Sequence, residues 1–365
     1  LLLIAAIQIR HPKRGPANML RVGIAGIGFM GMIHYLAWQR VKGARVTAIA
    51  SRDQKKLAGD WRSIKGNFGP PGEQMDLAGL RTYTDLVHLV NDPEIDLIDV
   101  CLPPYRHAEV TIAALAAGRH VLCEKPIALD SRTAAKMIRA AEAADRQLLV
   151  AHVLPFLGEF ATAYRLVSGG KYGRLLGGHF KRIISDPKWI PDFFDPARVG
   201  GPMIDLHIHD AHFIRLLCGM PRAVFTTGRL REGVAELFTS QFLFDDPRLA
   251  VTATSGIIGQ QGRSFTHGFE IHAERATLAY DFAVVGDEPR LNIPLTVFTA
   301  DARVVQPTVG AADPLDGFAA ELAETVRSIR TGQVSPLLSG SLARDALLLC
   351  EKQTASLAAG RLVKI

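Results

Sequence analysis

Three groups of residues in this chain have types and spacings that could do chemistry. Residues 22–31 read Val-Gly-Ile-Ala-Gly-Ile-Gly-Phe-Met-Gly. The spacing of Gly26, Gly28 and Gly31 suits a pyrophosphate cradle. The first glycine allows a tight turn, the second lets backbone approach the phosphates, and the third lets helix pack on strand. Ile27, Phe29 and Met30 complete the turn, and the N–H groups of the helix that follows favour an anion. The second group is Glu124-Lys125-Pro126, which sets an ammonium at the end of an apolar run. The third is Asp205, His207, His209, Asp210 and His212, all within eight residues. Oxidising an alcohol takes a base for the hydroxyl proton and a cation for the developing alkoxide. Histidine has a suitable pKa for the first task, and Lys125 can do the second. The glycine turn and Lys125 together suggest hydride chemistry on a carbohydrate-like alcohol or ketone.

The end of the second strand bears on the nucleotide. A site for NAD usually carries Asp or Glu about 20 residues beyond the glycines, on the ribose 2′-hydroxyl. Here the sequence is Ala50-Ser51-Arg52-Asp53. A serine hydroxyl and a guanidinium suit a 2′-phosphate, so NADP(H) is favoured over NAD(H).

The elements that must position these groups follow a rhythm. From Leu20 short apolar runs alternate with helical patterns: strands at Arg21–Ala25, Arg45–Ala50, Ile95–Leu102, His120–Cys123 and Gln147–His152, and helices at Met30–Gln39, His107–Ala117 and up to Ala144. That is an α/β pattern, a Rossmann-type doubly wound parallel sheet with both faces covered. After about residue 150 longer alternating strands appear, at Leu175–Ile184, Ala223–Arg229, Glu236–Phe244, Ala250–Ser255 and His267–Ala273, with helices at Leu315–Thr331 and Ser341–Ala359. They predict a C-terminal α+β domain with a large, mostly antiparallel sheet. The expected division is an N-terminal extension over 1–18, a nucleotide domain over 19–145, and a substrate and oligomerisation domain over 146–365.

Composition narrows the classes. The chain has 365 residues, 48% hydrophobic and 21% charged, with a formal net charge of +6. Arg10, Lys13 and Arg14 supply three of those charges within an acid-free start. The remainder is close to neutral, so no nucleic-acid partner is expected. The apolar start, Leu1 to Ile9, is too short to span a bilayer, and its positive charge follows the apolar run rather than preceding it as in a signal peptide. Residues 1–18 read as a disordered or spurious extension, with a membrane tether as the alternative. Cys101, Cys123, Cys218 and Cys350 have no metal or redox spacing, which suits buried thiols in a reducing, cytoplasmic setting.

The ordered set Gly-Ile-Gly-Phe-Met-Gly, Pro103-Pro104-Tyr105-Arg106-His107, Glu124-Lys125-Pro126 and Gly200-Gly201-Pro-Met-Ile-Asp205-Leu-His-Ile-His209 resembles the glucose–fructose oxidoreductase / inositol dehydrogenase (Gfo/Idh/MocA) family, over residues 20 to the C-terminus. The resemblance implies an NAD(P)-dependent dehydrogenase or reductase of a sugar, inositol, anhydrosugar or related polyol. It implies that Lys125, Asp205 and His209 act together: His209 as acid/base, Lys125 as polariser of the substrate oxygen, Asp205 as orienting group. If the segment is helical, Asp205 and His209 face one way. Leu102, Pro103, His107, Glu124 and Lys125 fall on the cofactor side. His152, Phe156, Lys181, Trp189, His207, His212 and His267 are further candidates for substrate contacts.

Departures lie on the substrate side. Pro104 stands where the family commonly has Asn, Pro155 where arginine is usual, and His212 where an acid is common. HxH pairs and carboxylates can ligate zinc or manganese, but a helix splays His207 from His209, the family needs no metal, and none is expected. Two other classes compete. One is a glycoside hydrolase or lyase-like enzyme on the same fold, with transient oxidation of a ring hydroxyl. The other is a non-catalytic nucleotide sensor, which would not require Lys125, Asp205 and His209 together. A broad antiparallel sheet in a single chain would expose apolar surface, so a homodimer or homotetramer is expected.

Overall fold

The computed structural model describes residues 19–188, 190, 192–310 and 313–365. The expected extension over 1–18 and the candidate Trp189 lie outside the described residues.

The first sheet is built from β1 (Leu20–Ala25), β2 (Ala44–Ala50), β3 (Arg81–Tyr83), β4 (Leu97–Val100), β5 (His120–Glu124) and β6 (Leu148–Ala151). Every pairing is parallel and the order is β3-β2-β1-β4-β5-β6. The chain order reverses between β1 and β4, which is where such sheets open a ligand crevice at their carboxyl ends. Val22, Ile24, Leu97, Ile98, Val121, Leu122, Leu149 and Val150 are fully buried, as a sheet covered on both faces requires. The connecting helices are α1 (Phe29–Trp38), α2 (Gln54–Leu57), α3 (Leu86–Asn91), α4 (His107–Ala116) and α5 (Ser131–Ala144).

The second sheet follows α6 (Gly158–Ser168). It contains β7 (Leu175–Ser185), then, after α7 (Ile208–Cys218), β8 (Ala223–Arg231), β9 (Val234–Leu243), β10 (Ala250–Ile258), β11 (Phe265–Ala273), β12 (Ala276–Val285), β13 (Glu288–Thr299) and β14 (Val304–Val305). Helices α8 (Pro314–Thr331) and α9 (Gly340–Ala359) follow, and the short β15 (Val363–Lys364) completes the order β14-β13-β12-β11-β7-β10-β9-β8-β15. Among the strands of the described residues, β7 and β10 pair in parallel, and the other pairs are antiparallel. One face of this sheet packs on helices: Phe160 of α6 meets Phe213 of α7 at 5.2 Å and Phe269 of β11 at 5.0 Å, ring to ring.

Five strands escaped the sequence reading: the short β3, β14 and β15, and the long β12 and β13. β13 contains Pro289 and Pro294, and proline cannot donate to a ladder. The register explains the tolerance: pairing skips between Ala279–Thr296 and Asp281–Ile293, so Pro294 sits at an irregularity.

The contacts divide the chain differently from a cut at 145/146. One compact unit holds the described residues within 1–128, 132–157 and 312–343; the other holds those within 129–131, 158–311 and 344–365. The first unit recruits β6 because Leu148–Ala151 pairs with β5. It recruits α8 because Leu315, Phe318, Leu322 and Val326 form one buried stripe at helical spacing, in the same apolar cluster as Ile33 and Trp38 of α1. The Val150 amide then donates to Leu338 O at 2.8 Å. Among the described residues, no helix is long and apolar enough to cross a membrane.

Candidate active site

The glycine turn is sterically compelled at two positions. Gly26 has φ +102°, and a Cβ there would lie 2.6 Å from Cys101 O. A Cβ on Gly31 would lie 2.1 Å from Gly26 O, while nothing stands within 4 Å of the Cβ position of Gly28. The first and third glycines therefore close strand onto helix, and the second leaves open space. The first N–H groups of α1 have no carbonyl inside the helix to bond. A cleft begins here, lined by Gly26, Ile27, Gly28, Ser51, Arg52, Leu102 and Pro103 among others. Phe29 and Met30 turn their side chains to the core, so they can offer only backbone to a phosphate. This cradle fits a dinucleotide.

At the end of β2, Ser51 Oγ accepts from the Asp53 amide at 3.1 Å. Asp53 accepts from the Lys55 amide at 2.9 Å and caps α2. The carboxylate that could have met a ribose is thus engaged in its own turn. Arg52 makes no hydrogen bond or ion pair among the described residues. Lys56 and Arg106 also line the cleft, and neither was singled out from sequence. Lys56 Nζ donates to Ile27 O at 2.8 Å. Its signal was the four-residue spacing from Arg52; Arg106 was visible in Pro-Pro-Tyr-Arg-His.

Glu124 ends β5 almost buried, with Oε2 accepting from the Lys125 amide at 2.9 Å. The Lys125–Pro126 bond is cis. His107 is fully buried at the start of α4, with Nδ1 2.8 Å from Pro126 O and Nε2 2.7 Å from Leu102 O. Burial pulls its pKa down, against the two carbonyls. Both side chains hold backbone: Glu124 the Lys125 peptide, His107 the carbonyls of Leu102 and Pro126. His152 is buried directly after β6, and Phe156 packs on the core of the first unit.

In the second unit, Asp205 lies in a π-type turn, Pro202–Leu206, closed by the His207 amide donating to Pro202 O at 2.8 Å. His209 follows in the first turn of α7. Both are half-buried, whereas Leu206, His207, Ile208 and Asp210 are buried. The expected regular helix across both residues is therefore a wide turn joined to a helix. His207 Nε2 meets Gln353 Oε1 of α9 at 3.0 Å, its ring edge-on to Phe238, and burial pulls its pKa to about 4. That ring is part of the core. Asp210 accepts from Arg182 Nε at 2.8 Å and Nη2 at 3.1 Å, both residues buried. His212 is also fully buried.

Lys181 follows from that pair. Arg182 reaches α7, so its neighbour on β7 points to the opposite face of the sheet, where Lys181 Nζ meets Asp281 at 2.8 Å. The structure does not bring Lys181 together with Asp205 and His209. His267, on β11, donates to or accepts from Tyr280 Oη at 3.2 Å and sits among aromatic rings.

Fold and cleft define an NAD(P)-dependent oxidoreductase, a dehydrogenase or reductase of CH–OH groups. Residues 20–152 match the model described as oxidoreductase family, NAD-binding Rossmann fold, and residues 160–279 match the GFO/IDH/MocA C-terminal domain. The chain belongs to the Gfo/Idh/MocA family. It is 27% identical to myo-inositol 2-dehydrogenase of Thermotoga maritima over 95% of this chain and 98% of the relative. It is 29% identical to 1,5-anhydro-D-fructose reductase of Ensifer adhaerens over 54% of this chain and 60% of that one. The crystal structure of an NAD-binding oxidoreductase from Klebsiella pneumoniae superimposes with a TM-score of 0.77 at 21% identity, covering 95% of this chain and 99% of the other.

Proposed function

We propose that this protein transfers hydride between NADP(H), in preference to NAD(H), and a sugar, inositol or related polyol or keto-sugar. The observation that carries the cofactor choice is the charge of the cleft. Arg52, Lys56 and Arg106 line it; Asp53, the acid among its described lining residues, caps α2, and Arg106 also meets Glu109 at 3.5 Å. A 2′-phosphate gains charge-assisted bonds there, whereas a bare ribose lacks a free carboxylate. The relatives named for myo-inositol and 1,5-anhydro-D-fructose support the substrate class.

When bound, the nicotinamide supplies or accepts the hydride. Lys125 holds its ammonium toward the substrate oxygen, lowering the energy of the developing alkoxide. His209 takes or returns the hydroxyl proton, and Asp205 orients the imidazole. The direct test is a spectrophotometric screen of sugars and polyols against both nucleotides. Arg52→Ala should then lower kcat/KM for NADP(H) roughly tenfold to a hundredfold, the worth of about one charged hydrogen bond, with NAD(H) little changed. Equal use of both nucleotides by the unaltered protein would reject the preference.

We also propose that the chain works as a homodimer or homotetramer. Val285, Leu291, Ile293 and Phe298 on β12 and β13 stay exposed in the chain alone, an apolar row of the kind that partners cover. Leu291→Lys with Ile293→Lys should shift the sedimentation coefficient to that of a monomer. A monomeric unaltered protein at micromolar concentration would refute this reading.

A further inference from the structure

Behind Glu124 lies a closed polar cluster that the mechanism above does not use. His34, in the middle of α1, is fully buried. Its Nδ1 lies 3.0 Å from both oxygens of Asp99. Its Nε2 lies 3.0 Å from Glu124 Oε1. Asp99, fully buried on β4, also accepts from Trp38 Nε1 at 2.8 Å, and Cys101 Sγ stands 3.5 Å from it. Glu321 of α8 is fully buried near the same groups, its two oxygens without a partner.

The protonation of this cluster follows from its geometry. A neutral imidazole has one N–H, so one ring nitrogen would turn a lone pair on a carboxylate. A carboxylate at each nitrogen favours the doubly protonated ring. Burial is the largest single influence and opposes that charge, but Asp99 and Cys101 together hold the His34 pKa well above the ordinary value. Burial pushes the Glu321 carboxyl well up, so it stays neutral. The imidazole is hydrogen-bonded to Asp99 through Nδ1 and lies 3.0 Å from Glu124 Oε1 through Nε2, an ion-pair contact whose angle falls outside hydrogen-bond geometry. The Glu124 carboxylate therefore has both ends engaged: Oε1 toward His34 and Oε2 on the Lys125 amide.

We propose that His34 is a positioning residue, which clamps Glu124 from behind and through it fixes the peptide that carries Lys125. The inference rests on the reading of Lys125 as the polarising group. A misplacement of about 1 Å at such a group can cost on the order of a hundredfold in rate. The ring thereby connects the centre of α1, whose N-terminus forms the glycine cradle, to the catalytic end of β5.

The test uses the whole protein and three readouts. In ¹⁵N-histidine NMR, both nitrogens of His34 should stay protonated above the pH at which the protein's exposed histidines lose their protons, as expected of an imidazolium beside acids; a ring that is neutral where those histidines are still protonated overturns the proposal. In His34→Gln, the Lys125 amide should exchange with deuterium at least about tenfold faster, while the β1 and β4 amides keep their protection. A Lys125 amide that exchanges as in the unaltered protein also overturns it. In kinetics, His34→Gln should lower kcat roughly tenfold to a hundredfold with dinucleotide affinity within about twofold, and the double variant with Glu124→Gln should lose no more than Glu124→Gln alone. Full additivity would mean His34 does not act through Glu124. If Lys125→Met leaves turnover intact, the polariser reading fails by itself, and the NMR and exchange results still decide whether the clamp exists.

Discussion

Lys125→Met is expected to lower turnover at least about a hundredfold, and His209→Ala by a similar factor, without loss of the nucleotide. Methionine is unbranched and close in reach to lysine, so the change removes an ammonium and little volume. The backbone beneath it should not move, because its anchors belong to other side chains. Glu124 holds the Lys125 amide, and His107 holds Pro126 O. The loss should therefore fall on kcat, as for a group whose interaction strengthens in the transition state. His209 sits half-exposed in the first turn of α7, whose other residues fix the helix by burial. Truncating it removes the proton acceptor and leaves the helix seated. The measurements are steady-state rates at the nicotinamide absorbance and dinucleotide affinity by fluorescence. Unchanged turnover of either variant on a proven substrate would remove that residue from the mechanism.

Asp210→Ala should destabilise the protein by about 3–5 kcal/mol, because it strands a guanidinium in the interior. Arg182 is 5% exposed and Asp210 1%, and the two share a bidentate bond. On that face Arg182 neighbours the aromatic cluster of Phe180 and Phe213, with the buried His267 opposite it on β11. For a domain of about 150–250 residues this corresponds to a melting temperature lower by roughly 6–20 °C. Substituting both partners by apolar residues, Arg182→Met with Asp210→Leu, should recover most of that loss, since paired buried charges contribute little beyond their own desolvation. A single-variant loss below about 1 kcal/mol would show that water reaches the site.

Sequence alone made the first sheet legible except for the three-residue β3, and the reasons are physical. Strands buried on both faces appear as unbroken apolar runs, and a glycine triplet between strand and helix has few other uses. Ser51 and Arg52 were visible for a related reason, being the positions where a carboxylate was missing. What stayed hidden depends on distant partners. The burial of Glu124 and His107 is set by His34 and by the carbonyls of Leu102 and Pro126, which pattern and period do not reveal. Asp205 and His209 were read as one helical face; Gly201, with φ +68°, instead opens a wide turn at Pro202 that a four-residue spacing cannot distinguish from a helix. Lys181 looked like a ligand for substrate because it is a lysine on a strand, and only the side taken by Arg182 tells which face it occupies. Helix α8 was assigned by its place in the chain, although its apolar stripe belongs to the first core.

That last arrangement has a consequence for how the protein is made. A ribosome releases β1 to β6 early, yet the apolar surface that receives Leu315, Phe318, Leu322 and Val326 must wait for some 160 further residues, about half the chain, to be synthesised. At about 5–20 residues per second the nascent nucleotide domain stays incomplete for on the order of ten seconds or more. During that interval it exposes an uncovered flank, and it is then that a chaperone or a misdirected contact would find it.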